Sequence, residues 1–188
     1  MIKIGITGSI SSGKTTASML LSQKKGPLFN ADKEVKKLYK NSSFQKLLIK
    51  KFNIKKKSNL KDSLKIKIVK SKKNFQKLEK IIHPLIRTKM KKFSSQHRNK
   101  KTLFFEIPLL IENKLMKYFD IIIFIKAKKK LRLKRFQFKG GEKKLFDIMN
   151  SKQLSDTKKI KFCNYVVVND KNINILKKNL LDIMKQYE

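Results

Sequence analysis

Eight residues near the start of the chain, Gly8-Ser9-Ile10-Ser11-Ser12-Gly13-Lys14-Thr15, fit the phosphate-loop pattern G-x-x-x-x-G-K-[ST]. They follow an apolar run, Ile2 to Ile6, that reads as a short strand, and they precede Ala17 to Leu21, which reads as the start of a helix. A strand turning through a glycine loop into a helix is the context this pattern requires, and it commits the chain to an α/β architecture. It also names a ligand, the phosphate chain of a nucleoside triphosphate.

The residue types explain the chemistry. At Gly8 and Gly13 the backbone can curl tightly and bring its N–H groups against phosphate oxygens, where a Cβ would intrude. The helix that follows adds the positive end of its dipole. Lys14 is placed to reach the β- and γ-phosphates, and the Thr15 hydroxyl to hold Mg²⁺. Ser11, Ser12 and Thr16 complete the loop residues expected to bind ATP.

A chain of 188 residues makes one domain, or one domain with insertions, and is long enough for a real core. No apolar run approaches membrane-spanning length, so no membrane partner is expected. The first strand begins at residue 2, which leaves no room for a signal peptide. Cys163 is the only cysteine, which rules out an internal disulfide. Together these features point to a cytoplasmic protein. The net charge of +36 invites a nucleic-acid reading, but only four of the 49 basic residues are arginine. Dedicated nucleic-acid binders use arginine for forked contacts and interleave aromatics for stacking, and neither pattern is present. No specific nucleic-acid partner is expected, and the charge reads as lysine spread over every solvated face.

Leu28 to Asp32 reads as a second strand, after a turn punctuated by Gly26-Pro27. From Lys33 to about residue 100 the pattern is helical and strongly basic. Leu38, Phe44, Leu47, Leu48 and Phe52 form one apolar stripe; Phe75, Leu78, Ile81 and Ile82 form another, ending at His83-Pro84. Leu103 to Ile107, Ile121 to Ile125 and Tyr165 to Asn169 read as further strands, the middle one continuously apolar as in buried parallel sheets. Lys128 to Lys139 reads as a basic helix broken by Gly140-Gly141. Leu176, Leu180, Ile183, Met184 and Tyr187 share one face of a closing helix. The expectation is a three-layer α/β fold with a five-stranded parallel sheet. Its core is about 1–34, 101–126 and 151–188, with a helical acceptor-binding insertion at about 35–100 and a lid at about 127–150.

Several islands of the sequence resemble dephospho-CoA kinase. The phosphate loop stands at the N-terminus, Asn30-Ala31-Asp32 is similar to that family's D-A-D, and His83-Pro84-Leu85-Ile86-Arg87 is similar to its H-P-x-I-R. Glu106-Ile107-Pro108-Leu109-Leu110-Ile111-Glu112 resembles D-x-P-L-L-F-E, and Arg135 to Gly140 resembles the lid pattern R-L-x-x-R-x. Gln153, Lys159 and Tyr165 to Asn169 follow the order of the family's closing segment. The resemblance implies transfer of the γ-phosphoryl of ATP to the ribose 3′-hydroxyl of dephospho-CoA, giving coenzyme A and ADP, by a protein expected to be a monomer.

The resemblance also assigns roles, each with a plainer alternative. Asp32 would orient, or deprotonate, the acceptor hydroxyl; alternatively it is a helix N-cap. Asn30, where the family has Asp, leaves Asp32 the sole carboxylate of that triplet. Arg135 would stabilise charge on the transferred group, or it belongs to a solvated basic face. Lys139 stands where the family has a second arginine, keeping the charge without the fork, with Arg132 available to compensate. His83 and Arg87 would contact the acceptor, His83 being more simply a structural residue at a helix end. Glu106 is a candidate for water-mediated Mg²⁺ contact. Glu112 is expected to cap or to pair with a lysine. Asn169 would line the adenine pocket, or end the last strand in a turn. The competing readings are another nucleoside or nucleotide kinase with the same loop, a basic nucleic-acid-binding ATPase, and an enzyme decayed to slow turnover.

Overall fold

A computed structural model describes residues 1–55 and 59–187. In chain order the described elements are β1 (Ile2–Gly8), α1 (Lys14–Lys25), β2 (Leu28–Asn30), α2 (Ala31–Lys40), α3 (Ser42–Phe52), α4 (Leu60–Lys70) and α5 (Lys72–Gln96). They continue with β3 (Thr102–Glu106), β4 (Ile121–Lys126), α6 (Lys129–Phe138), α7 (Lys143–Ser151), α8 (Asp156–Ile160), β5 (Tyr165–Val168) and α9 (Ile173–Met184). The chain divides into two units, one of Met1–Asn30 with His97–Glu188, the other of Ala31–Gln96.

The first unit holds the sheet. Among the described residues it has five strands, all parallel, in the order β2-β3-β1-β4-β5. Every residue of β3 and the first five of β4 are buried, as a parallel sheet covered on both faces requires. Ile4, Ile6, Ile123 and Ile125 form the core with Ala17 and Leu21 of α1 and with Leu176, Leu180 and Met184 of α9. Burying each of the isoleucine, leucine and methionine side chains contributes about 1.5–3 kcal/mol. The chain leaves β1 toward β2 on one side of the sheet and leaves β4 toward β5 on the other. Connections that diverge in this way open a crevice at the carboxyl ends of the strands, where ligands of open α/β sheets bind. Register places Gly8 beside Ile125 and Asn30 beside Glu106 at those ends.

The second unit is helical, with a core of Phe44, Leu48, Phe52, Ile54, Leu64 and Leu78. Leu38 belongs to α2, whereas Phe44 to Phe52 belong to α3, because Asn41 interrupts the stripe and caps α3 by accepting from the Phe44 N–H at 3.0 Å. Glu34 joins α2 to α5 through Lys89 at 2.9 Å and also pairs with Lys37 at 2.6 Å. Burial pushes its carboxyl up, but the two ammonium groups outweigh that and hold it below the usual carboxylate value.

Some expectations need correction. The helix of the second stripe does not end at His83-Pro84: α5 runs on to Gln96 with Pro84 inside it. Proline forfeits one main-chain bond and crowds the preceding turn, but Ile86 and Met90, at 7% and 5% exposure, extend the apolar stripe past it. His83 is therefore a mid-helix residue. Leu47 and Phe75, members of the two apolar stripes, are exposed. The second strand stops at Asn30, so Asp32 lies within the first turn of α2, past the cap position. The third and fifth strands likewise end one residue early, at Glu106 and Val168. The helical expectation at 56–58 lies outside the described residues.

Candidate functional site

The phosphate loop fills the turn from β1 to α1. At Gly13 φ is +97°, a conformation that favours glycine, and a Cβ there would run into the Asn169 side chain. At Gly8 φ is +152°, and a Cβ would strike the Ile125 carbonyl on the neighbouring strand. Helix α1 begins at Lys14, three residues before the expected Ala17, because the left-handed Gly13 turns the chain directly into it. Lys14 is 8% exposed as a residue, and its ammonium donates to the Ser9 carbonyl at 2.9 Å and so lies across the loop.

A cavity of about 360 Å³ opens over this loop. Ser11, Gly13, Lys14, Thr15 and Thr16 line it from the loop side. Arg135 and Lys139 line it from the end of α6, and Asn169 from the end of β5. Lys171, Ile173 and Leu176 complete the wall. Sequence reasoning missed Lys171 and Ile173; the available signal was an isoleucine directly after the polar stretch Asn169 to Asn172, and in the structure that Ile173 is 55% exposed. Among the described residues that line the cavity, Lys14, Arg135, Lys139 and Lys171 are cationic and none is acidic, which suits a polyanion with one apolar portion. Gly8 and the fully buried Ser12 do not line it; they shape the loop from behind.

Arg135 and Arg132, three residues apart on α6, have different situations. The Arg135 guanidinium donates to the Asn169 carbonyl at 2.9 Å and to the Ser12 carbonyl at 3.4 Å while facing the cavity. Arg132 is 6% exposed and bonds Ala127 O at 3.1 Å, Asn150 Oδ1 at 2.8 Å and Ile10 O at 3.4 Å. It pins the loop from outside the cavity wall, so it is not placed to compensate for Lys139.

Further supports reach the loop from the C-terminal third of the chain. Gln153 accepts from the Ile10 N–H at 3.0 Å, and Asp156 accepts from the Ser9 hydroxyl. The helix carrying Asp156, α8, is itself anchored by fully buried Lys159, whose ammonium pairs with Glu112 at 2.7 Å. Glu112 also accepts from the Leu154 N–H at 3.2 Å, so it is a lysine partner as the sequence suggested. Replacing Lys159 by methionine strands that carboxylate; urea unfolding should register a loss of about 3–5 kcal/mol, partly restored by adding Glu112→Gln. Burial pushes the neighbouring Cys163 thiol up to about 11, against the pull of Lys159. It is therefore protonated at neutral pH, and iodoacetamide should modify it at pH 8 on the order of a hundredfold more slowly in folded than in urea-denatured protein. Asn164 ties the start of β5 to β4 by accepting from the Ile122 N–H at 2.8 Å.

On the β3 side of the loop, Thr15 donates to Glu106 Oε1 at 2.5 Å. Ser18 and Asn30 donate to Oε2 at 3.0 and 2.5 Å. Glu106, 3% exposed, is thus a buried carboxylate whose charge is met by three donors. The Thr15–Glu106 pair offers hard oxygen ligands of the kind Mg²⁺ takes in small number beside phosphate.

In the helical unit, Asp32 occupies the first turn of α2, and His83 and Arg87 lie one turn apart on α5. Burial lowers the His83 pKa, Arg87 acts in the same direction, and Glu79 opposes them. The environment thus favours the neutral imidazole.

The family profile described as dephospho-CoA kinase matches residues 2–174. A dephospho-CoA kinase of Rickettsia typhi is 34% identical over 195 residues, covering 100% of this chain and 98% of the relative. One from Bartonella henselae is 30% identical over 194 residues, covering 97% and 96%. A crystal structure from Thermus thermophilus aligns with a TM-score of 0.87 at 23% identity, covering 100% and 98% of the two chains. A shikimate kinase from Acinetobacter baumannii aligns with a TM-score of 0.57 at 13% identity, covering 99% and 92%. At these identities the structural likenesses establish the fold. Among the described residues, no helix is long and apolar enough to cross a membrane.

Proposed function

The chain belongs to the dephospho-CoA kinase family, and we infer that it transfers the γ-phosphoryl group of ATP to the ribose 3′-hydroxyl of dephospho-CoA, giving coenzyme A and ADP. The observation that carries this reading is a family match over residues 2–174, which takes in the His83 to Arg87 segment as well as the phosphate loop. A match confined to the loop would have fitted any kinase of this fold; the alternative kinase and nucleic-acid-dependent readings have no comparable support.

The residues divide by task. The loop N–H groups, Lys14 and Arg135 bind the β- and γ-phosphates and meet the charge that spreads over the transferred group. Lys139 adds charge without a fork. Thr15, with Glu106 behind it, would hold Mg²⁺, which when bound would neutralise phosphate charge. Asp32 orients the attacking hydroxyl for in-line transfer. Arg87 and His83 contact the acceptor, Arg87 as the cation for its phosphate and neutral His83 as a hydrogen-bonding group. Residues 127–150 act as a lid that excludes water and limits wasteful hydrolysis. The protein works as a cytoplasmic monomer without a specific nucleic-acid partner.

The test is ADP release with ATP and Mg²⁺ across dephospho-CoA, adenosine, AMP, CMP, dTMP and single-stranded DNA. Response to dephospho-CoA alone supports the reading. Response to a monophosphate replaces the substrate, and stimulation by DNA overturns the dismissal of the charge.

A further inference from the structure

The sequence left Asn169 either lining the adenine pocket or ending the last strand in a turn; in the structure its carboxamide is engaged with the phosphate loop. Asn169 is 6% exposed, and its Nδ2 donates to the Ser12 carbonyl, 157 positions away in the chain, at 2.8 Å. Its own main chain is fixed by an N–H bond to Lys126 O at 2.8 Å, so the side chain projects from the rigid end of β5. Arg135 completes a closed triangle, bonding the Ser12 carbonyl with one guanidinium nitrogen and the Asn169 carbonyl with the other. The carboxamide also occupies the space a Gly13 side chain would need.

The Ser12 carbonyl and the Gly13 N–H belong to one peptide plane and point in opposite directions. Holding the carbonyl against Asn169 therefore turns the Gly13 N–H the other way. Gly13 lines the cavity, and a peptide free to flip would aim a carbonyl oxygen at bound phosphate instead of a donor.

We propose that Asn169 is a positioning residue for the phosphate loop, fixing the Ser12–Gly13 peptide so that its N–H serves the triphosphate, and that it takes no part in recognising the base. This rests on the loop being the ATP site.

The role is read by comparing ligands with and without a base. Calorimetric titration of wild type, Asn169→Ala and Asn169→Asp uses ATP, GTP and inorganic tripolyphosphate, each with Mg²⁺, and unfolding curves of each protein confirm that it is folded. All three ligands should weaken by the same factor in Asn169→Ala, about tenfold, the order expected for one buried hydrogen bond. Asn169→Asp keeps the shape but sets an acceptor against the Ser12 carbonyl, so it should bind no better than the alanine variant; it carries the test alone if the alanine variant is unstable. Loss of ATP affinity with tripolyphosphate binding unchanged would assign Asn169 to the base and overturn the proposal, as would unchanged affinity for every ligand. Wild-type protein that binds none of the three would overturn the ATP reading, and the proposal with it.

Discussion

Lys14→Ala should leave a folded protein with almost no turnover. Lys14 contributes its ammonium to the loop and nothing to the apolar core, which is built from Ile4, Ile6, Leu21 and their neighbours. Its unfolding curve should overlay that of wild type. On the proposed role the same ammonium would meet charge developing on the β- and γ-phosphates in the transfer step, and removing one such preorganised donor typically costs on the order of 10²–10³ in kcat. Lys14→Arg should not rescue it, because the wider planar guanidinium does not fit where a point charge lies across a tight loop. Steady-state ADP release beside a thermal melt checks both halves. Wild-type turnover in folded Lys14→Ala would remove the loop from the mechanism.

Asp32→Asn should produce a different signature. The family triplet here is Asn30-Ala31-Asp32, and the Asn30 amide is occupied with Glu106 at 2.5 Å, so Asp32 is the carboxylate left in it. Asparagine keeps the volume and fits the first turn of α2, but it accepts hydrogen bonds more weakly and takes up no proton. If the carboxylate orients or deprotonates the acceptor hydroxyl, kcat should fall by about 10²–10³. ATP affinity should remain within about twofold, because the effect lies in the chemical step. Parallel loss of rate and ATP affinity would instead make Asp32 a structural residue of the helix start.

The sheet was largely legible in the sequence because its signals are local. From Ile121 to Ile125 β4 is an unbroken run of isoleucine and phenylalanine, and the phosphate loop carries its own strand and helix at fixed spacing. The course of α5 was not legible: Pro84 is a strong local stop signal, and what overrides it is the burial of Ile86 and Met90, a tertiary effect. The division of labour on α6 was hidden for a similar reason. Arg132 and Arg135 look equivalent in sequence, and only the packing of α7 and the loop turns one into a buried pin and the other into a cavity wall. The Asn30–Glu106 contact depends on the register of two strands separated by the whole helical unit. The Asn169–Ser12 bond joins the two ends of the chain, so Asn169 could be placed near the nucleotide but not given its partner.

The most direct test is the product itself. Purified protein incubated with ATP, Mg²⁺ and dephospho-CoA should convert the acceptor to a species one phosphate heavier that co-migrates with authentic coenzyme A, with equimolar ADP, and Lys14→Ala should convert it on the order of 10²–10³ more slowly. Folded protein that binds ATP yet leaves dephospho-CoA unchanged would contradict the account.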